Sequence, residues 1–120
     1  MEWTLDEDRP IWLQLTERLK QRIATGVYAL GQRLPSVREL SCEAGVNPNT
    51  MQRALAQLET DGLAVTNRTA GRQVTSDGDV IGSLRQRLAR EIIDGFLKNM
   101  EILGFSAEEA IELARRKEEQ

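Results

Sequence analysis

Histidine does not occur in this chain of 120 residues, and cysteine occurs once. The first absence removes the commonest general base and the commonest metal ligand. A lone Cys without His is a poor candidate for nucleophilic catalysis, so no acid–base constellation is left, and neither enzymatic activity nor a cofactor or metal is expected. Aromatic residues make up only 4% of the chain. A core must therefore be built from Leu, Ile, Val and Ala, which suits helix packing better than a large sheet. No run of about 18 apolar residues is present, which excludes a membrane span. The first eight residues are acidic, the opposite of the basic start of a secretory signal. With a single Cys nothing suggests an oxidising compartment, and a cytoplasmic protein is expected.

What is present is a globular balance, 40% hydrophobic and 29% charged, near the size of one domain with room for a second small helical element. The net charge of −3 hides a partition. Residues 1–8 carry four acids and no base, residues 9–75 are net +4, and residues 76–120 are net −3. Fields are screened within about 8–10 Å at physiological salt, so local charge decides what the surface attracts. The middle segment suits a polyanion; the flanks do not.

After Arg9-Pro10, a plausible helix entry, Ile11, Leu15, Leu19 and Ile23 recur every four residues, one apolar stripe of a helix ended by Gly26. Tyr28 and Leu30 in the following connection are expected to dock on the core. Ser36, followed three residues on by Glu39, is a capping box opening a second helix that stops at Gly45. Asn47 as cap and Pro48 in the first turn open a third helix, with Met51, Ala54, Leu55 and Leu58 buried and Gly62 as its stop. Two short helices joined by a Gly-containing turn form a helix-turn-helix. The period then changes: residues 63–66 and 72–75 read as strands around a turn at 67–71, a hairpin wing. Asp77-Gly78-Asp79 and Gly82 read as a linker. Beyond it Leu84, Leu88, Ile92, Phe96, Met100 and Leu103, widened by Ile93 and Leu97, form a stripe that at about 1.5 Å per residue spans nearly 30 Å. Ser106 and Glu109 make another capping box for a last helix. The expected architecture is mainly α with a small β-hairpin: a winged helix-turn-helix over residues 1–76, then a two-helix C-terminal dimerisation element over residues 77–120. Folding back of the long stripe on the winged helix is the alternative to packing between subunits.

Residues Leu34-Pro35-Ser36-Val37-Arg38-Glu39-Leu40 and Val46-Asn47-Pro48-Asn49-Thr50 resemble the GntR family of bacterial regulators. The opening Pro10-Ile11-Trp12-Leu13-Gln14-Leu15 is similar to its YtrA-like subfamily. The resemblance implies a winged helix, a helical dimerisation tail, and repression of a neighbouring operon, often one encoding a transporter. The family wing commonly reads Arg-Gly-Lys-Gly and then an aromatic; Arg68-Thr69-Ala70-Gly71-Arg72-Gln73 lacks one Gly and the Lys. The tail is too short for a roomy effector pocket, so no small-molecule effector is assigned.

The partners this implies are double-stranded operator DNA and a second copy of the chain. The resemblance places Arg38 among DNA-contacting positions, where its fork suits guanine O6 and N7; the alternative is an ion pair with Glu39 or Glu43. Asn47, Asn49, Thr50, Gln52 and Arg53 occupy the first turns of the recognition helix, the end that enters a major groove. Asn47 is equally explained as a cap, and so is Ser36, whose hydroxyl is otherwise a phosphate ligand. Arg68, Thr69, Gly71 and Arg72 form the wing turn, its two arginines aimed at phosphate or minor groove. Cys42 is expected to pack rather than to sense oxidants. Two further readings compete with an operator-binding regulator: a winged-helix protein–protein adaptor, and a metabolite sensor with an inducer at the dimer interface.

Overall fold

A computed structural model describes residues 3–119 of the chain. Met1 and Glu2 in the acidic start, Gln120 in the polar tail, and the side chains of Glu118 and Glu119 lie outside the described residues. The elements run α1 (Ile11–Ala24), α2 (Val37–Ala44), α3 (Pro48–Thr60), β1 (Ala64–Asn67), β2 (Gly71–Val74), α4 (Gly78–Ile102) and α5 (Ala107–Glu119). Among the described residues, five helices and one antiparallel hairpin match the mainly α class with a small β-hairpin read from the sequence.

Leu15, Leu19 and Ile23 on α1 are buried with Leu40 of α2 and with Met51, Ala54, Leu55 and Leu58 of α3. Each large side chain among them contributes about 1.5–3 kcal/mol on leaving water. Gln14 is buried too, and its amide pins the arm that precedes α1: Nε2 donates to the carbonyls of Asp6 (2.7 Å) and Arg9 (2.9 Å), while Oε1 accepts from Asp6 N at 2.7 Å. Tyr28 docks in the core as expected, but Leu30 remains exposed.

The hairpin pairs Ala64 with Val74 and Asn67 with Gly71 at its ends. Its outer edge is also occupied. Leu34 N donates to Arg72 O (2.8 Å) and Val74 N to Gln32 O (2.9 Å), so residues 32–34 bridge to β2 opposite Gln73. These backbone bonds fix where the chain enters α2.

Two compact units are present, Met1–Arg85 and Gln86–Gln120. The first extends past the end of β2 into α4, whereas the sequence suggests a division at residue 76. The expected linker at 77–82 is a correction: α4 begins at Gly78 and runs through Gly82. Asp77 Oδ1 accepts from Asp79 N at 3.0 Å, and this cap, with Leu84 buried one turn and a half later, outweighs the helix-weakening glycines. In the second unit, Ser106 and Glu109 close the expected capping box at 3.0 and 3.1 Å, and Ala110 is buried.

Candidate nucleic-acid interface

Helices α2 and α3 are set by local chemistry. Ser36 caps α2, its Oγ accepting from Glu39 N and donating to Glu39 Oε1, both at 3.1 Å. Gly45 ends that helix at φ +70°, a left-handed conformation that favours glycine. Asn47 then caps α3, accepting from Asn49 N at 2.8 Å, with Pro48 in the first turn. The hydroxyl of Ser36 has one proton, and Glu39 takes it. Ser36 is therefore a cap here, not a free phosphate donor.

Arg38 lies in the first turn of α2 and is exposed. Neither acid offered as an alternative partner reaches it. Glu39 is engaged by Ser36, and Glu43 pairs with Arg22 at 3.0 and 3.3 Å. Arg22 is buried, donates to the Tyr28 hydroxyl at 2.6 Å and lies over the Trp3 ring at 4.5 Å. Burial lowers its pKa, but the bonds to Glu43 and Tyr28 prevail and raise it; the same Arg22 bond holds Glu43 below the usual carboxylate range. This pair, Arg22 buried and Glu43 exposed, occupies Glu43 and leaves Arg38 without an ion pair among the described residues.

On α3, Asn49, Gln52 and Arg53 are exposed and Thr50 is half-buried. The buried stripe of Met51, Ala54, Leu55 and Leu58 turns these polar residues outward. Arg53 is not loose: its guanidinium stacks over Trp12 of α1, 4.0 Å from the ring centroid. A cation–π stack orients the group without removing its charge.

The wing departs from expectation at Arg72. Its Nε bonds Glu59 on α3, which also accepts from Thr66 Oγ1 at 2.9 Å. The Arg72 bond holds the Glu59 carboxyl below its ordinary range. Arg72 thus joins the wing to the recognition helix and is not a free cation for phosphate, because a carboxylate within hydrogen-bond reach neutralises it. Arg68 is exposed at the tip. Thr69 is occupied in the turn, with its N and Oγ1 both donating to Asn67 Oδ1 at 2.9 Å. Gly71 sits at φ +75°, so the turn needs glycine there for backbone reasons alone. One cation beside the wing escaped the sequence reading: Arg33, on the segment bonded to β2, is exposed and its guanidinium lies against Gly71. Only the tertiary pairing of residues 32–34 reveals it.

A family model of bacterial regulatory proteins, the gntR family, matches residues 12–74, the span from α1 to β2. The chain belongs to the gntR family. Among its relatives is the uncharacterized HTH-type transcriptional regulator YhcF of Bacillus subtilis, 34% identical over 112 residues and covering 93% of each chain. The HTH-type transcriptional repressor YtrA of the same organism is 29% identical over 99 residues, covering 78% of this chain and 76% of that one. A GntR family transcriptional regulator from Listeria monocytogenes superposes with a TM-score of 0.86 at 35% identity, over 93% of this chain and 98% of the other. AraR(DBD), solved in complex with operator ORX1, superposes at a TM-score of 0.53 with 26% identity, over 62% of this chain and 92% of that one. As a gntR-family member with YtrA-type relatives, the chain is a DNA-binding transcriptional regulator carrying a winged helix-turn-helix.

Of the apolar stripe assigned to dimerisation, Leu84 requires correction. It is 1% exposed and belongs to the first unit, so its own chain already buries it. Leu88, Leu97 and Met100 are half-buried, while Ile92, Ile93, Phe96 and Leu103 are exposed, Ile92 at 70%. The exposed Ile102 extends this apolar set. Cys42 is also exposed, not packed. Among the described residues no helix is long and apolar enough to cross a membrane.

Proposed function

We propose that the chain is a repressor that binds a two-fold-related operator as a homodimer, reading bases with α2 and α3 and joining subunits through α4. The observation that carries this reading is Arg38: exposed, without an ion pair among the described residues, and in the first turn of α2. Its planar fork suits guanine O6 and N7 in a major groove, and Asn49 and Gln52 on α3 suit adenine edges. Thr50 suits phosphate or a thymine methyl, Arg53 is presented on its Trp12 stack, and Arg68 stands at the wing tip. Asn47 contributes as the cap that orients this set.

The exposed apolar residues of α4 support a second copy as partner, because contiguous apolar surface of this kind marks an interaction face. A closed two-fold dimer presents two recognition helices to related half-sites. The repressor role is supported by the relative YtrA, itself named a repressor. Resemblance to that subfamily points to a neighbouring transporter operon as the target.

The test is fluorescence anisotropy of a labelled DNA duplex titrated with the full chain at rising salt. A phosphate-gripping domain loses affinity linearly on a log–log plot, with a slope near −0.9 per phosphate neutralised on B-DNA. Absence of DNA binding, or binding indifferent to salt, overturns the proposal and favours a protein-binding adaptor.

A further inference from the structure

We infer that Arg33 is a DNA-backbone contact of the wing, supplying from the segment before α2 a second cation beside Arg68 of the hairpin. The inference rests on the DNA-binding reading above and adds to it a residue outside both recognition helices and outside the wing turn.

Three features converge on Arg33. Residues 32–34 run along the free edge of β2, with Arg33 bridged antiparallel to Gln73. Strand alternation puts Arg33 on the hairpin face shared by Gln73 and Gly71, while Thr66 and Arg72 belong to the opposite face, which meets Glu59 of α3. The Arg33 guanidinium lies over Gly71: its Nε is 3.5 Å from where a Cβ on that glycine would stand. That places a positive charge beside the first residue of β2, at the turn end of the hairpin. Arg33 is exposed, and its side chain has no hydrogen bond or ion pair among the described residues.

Charge on the wing makes this position consequential. Arg72 is neutralised by Glu59, which leaves Arg68 as the hairpin's own uncompensated cation. Glu59 is already held by Arg72 and Thr66 and is on the other face, so it does not quench Arg33. A guanidinium can bond two phosphate oxygens in parallel. Phosphate contacts position a protein on the duplex and carry no sequence information. Arg33 accordingly sets affinity and register, not base preference.

The test uses the full chain, its Arg33→Ala and Arg33→Lys variants, and labelled duplexes of random and of selected sequence. Arg33→Ala should weaken binding to both duplexes and reduce the magnitude of the log–log salt slope by about 0.9 per chain, about 1.8 for the proposed dimer, with the ranking of duplexes unchanged. Arg33→Lys keeps the charge and should retain the wild-type slope. Thermal melting of both variants should stay close to wild type, because the side chain makes no hydrogen bond or ion pair among the described residues. A wild-type slope in Arg33→Ala overturns the inference and leaves the DNA-binding reading standing. A changed ranking of duplexes also overturns it, by making Arg33 a base reader. If the wild-type chain shows no salt-dependent binding to either duplex, both readings fall together.

Discussion

Arg72 on β2 donates its Nε proton to the carboxylate of Glu59 on α3, and this pair ties the wing to the recognition helix. An arginine expected to meet phosphate becomes a strut. The orientation of the hairpin then depends on α3, so wing and recognition helix approach DNA as one body.

The strut should be sensitive to acid. Glu59 is held below the ordinary carboxylate range chiefly by its bond from Arg72, against the opposing effect of burial and with help from Thr66. For a depressed folded value the stabilisation is complete above the unfolded carboxylate pKa, about 4.3, and is lost as pH falls through the folded value. Thermal melts of wild type and Glu59→Gln should differ by roughly 0.2–1 kcal/mol near neutrality, the range for partly exposed pairs. The difference should close on acidification; one that persists unchanged in acid would contradict the assignment.

Arg38→Ala should sharply reduce preference for the operator while leaving fold and assembly intact. Loss of a bidentate guanine contact costs about 1–3 kcal/mol of base discrimination, and the side chain is exposed without an ion pair among the described residues. Anisotropy on operator and scrambled duplexes measures the ratio. An unaltered ratio would remove Arg38 from base reading.

The long helix should respond in two ways along its length. Leu84→Ala removes a fully buried side chain and should cost about 2–5 kcal/mol of stability by thermal or chemical melting. Ile92→Asp alters a residue 70% exposed in the single chain, so it should spare the fold of one subunit but yield monomers by light scattering. A dimeric Ile92→Asp protein would exclude this face as the subunit contact.

Asn47 and Asn49 lie two residues apart with different work. Asn47→Ala removes a cap accepting from Asn49 N and should lower stability by about 1 kcal/mol, with Asn47→Asp retaining it. Asn49→Ala leaves the melting temperature in place and changes discrimination at one base pair. Equal melting of Asn47→Ala and wild type would refute the capping role.

Legibility from sequence followed the range of the interactions. Ser36 with Glu39, Asn47 with Pro48, and Ser106 with Glu109 act within a single helix turn, so these helix starts can be read directly. Interactions between distant segments could not. Arg72 meets Glu59, Arg22 meets Glu43, and Arg53 stacks on Trp12 only after the helices pack. The same holds for Arg33, which becomes a wing residue through backbone pairing with β2. The glycines at 78 and 82 suggested a linker because local propensity opposes helix there, and burial of Leu84 overrides it. Leu84 and Leu88 share a sequence period, yet one is buried by its own chain and the other only half so; periodicity marks a face without naming what covers it.

The most direct test of the central claim is selection of bound duplexes from a random pool by the full-length protein, followed by sequencing. A homodimeric operator-binding protein enriches a sequence with two related half-sites about one helical turn apart, bound by two chains in sedimentation analysis. Enrichment of no sequence, or of a single asymmetric site bound by one chain, would contradict it.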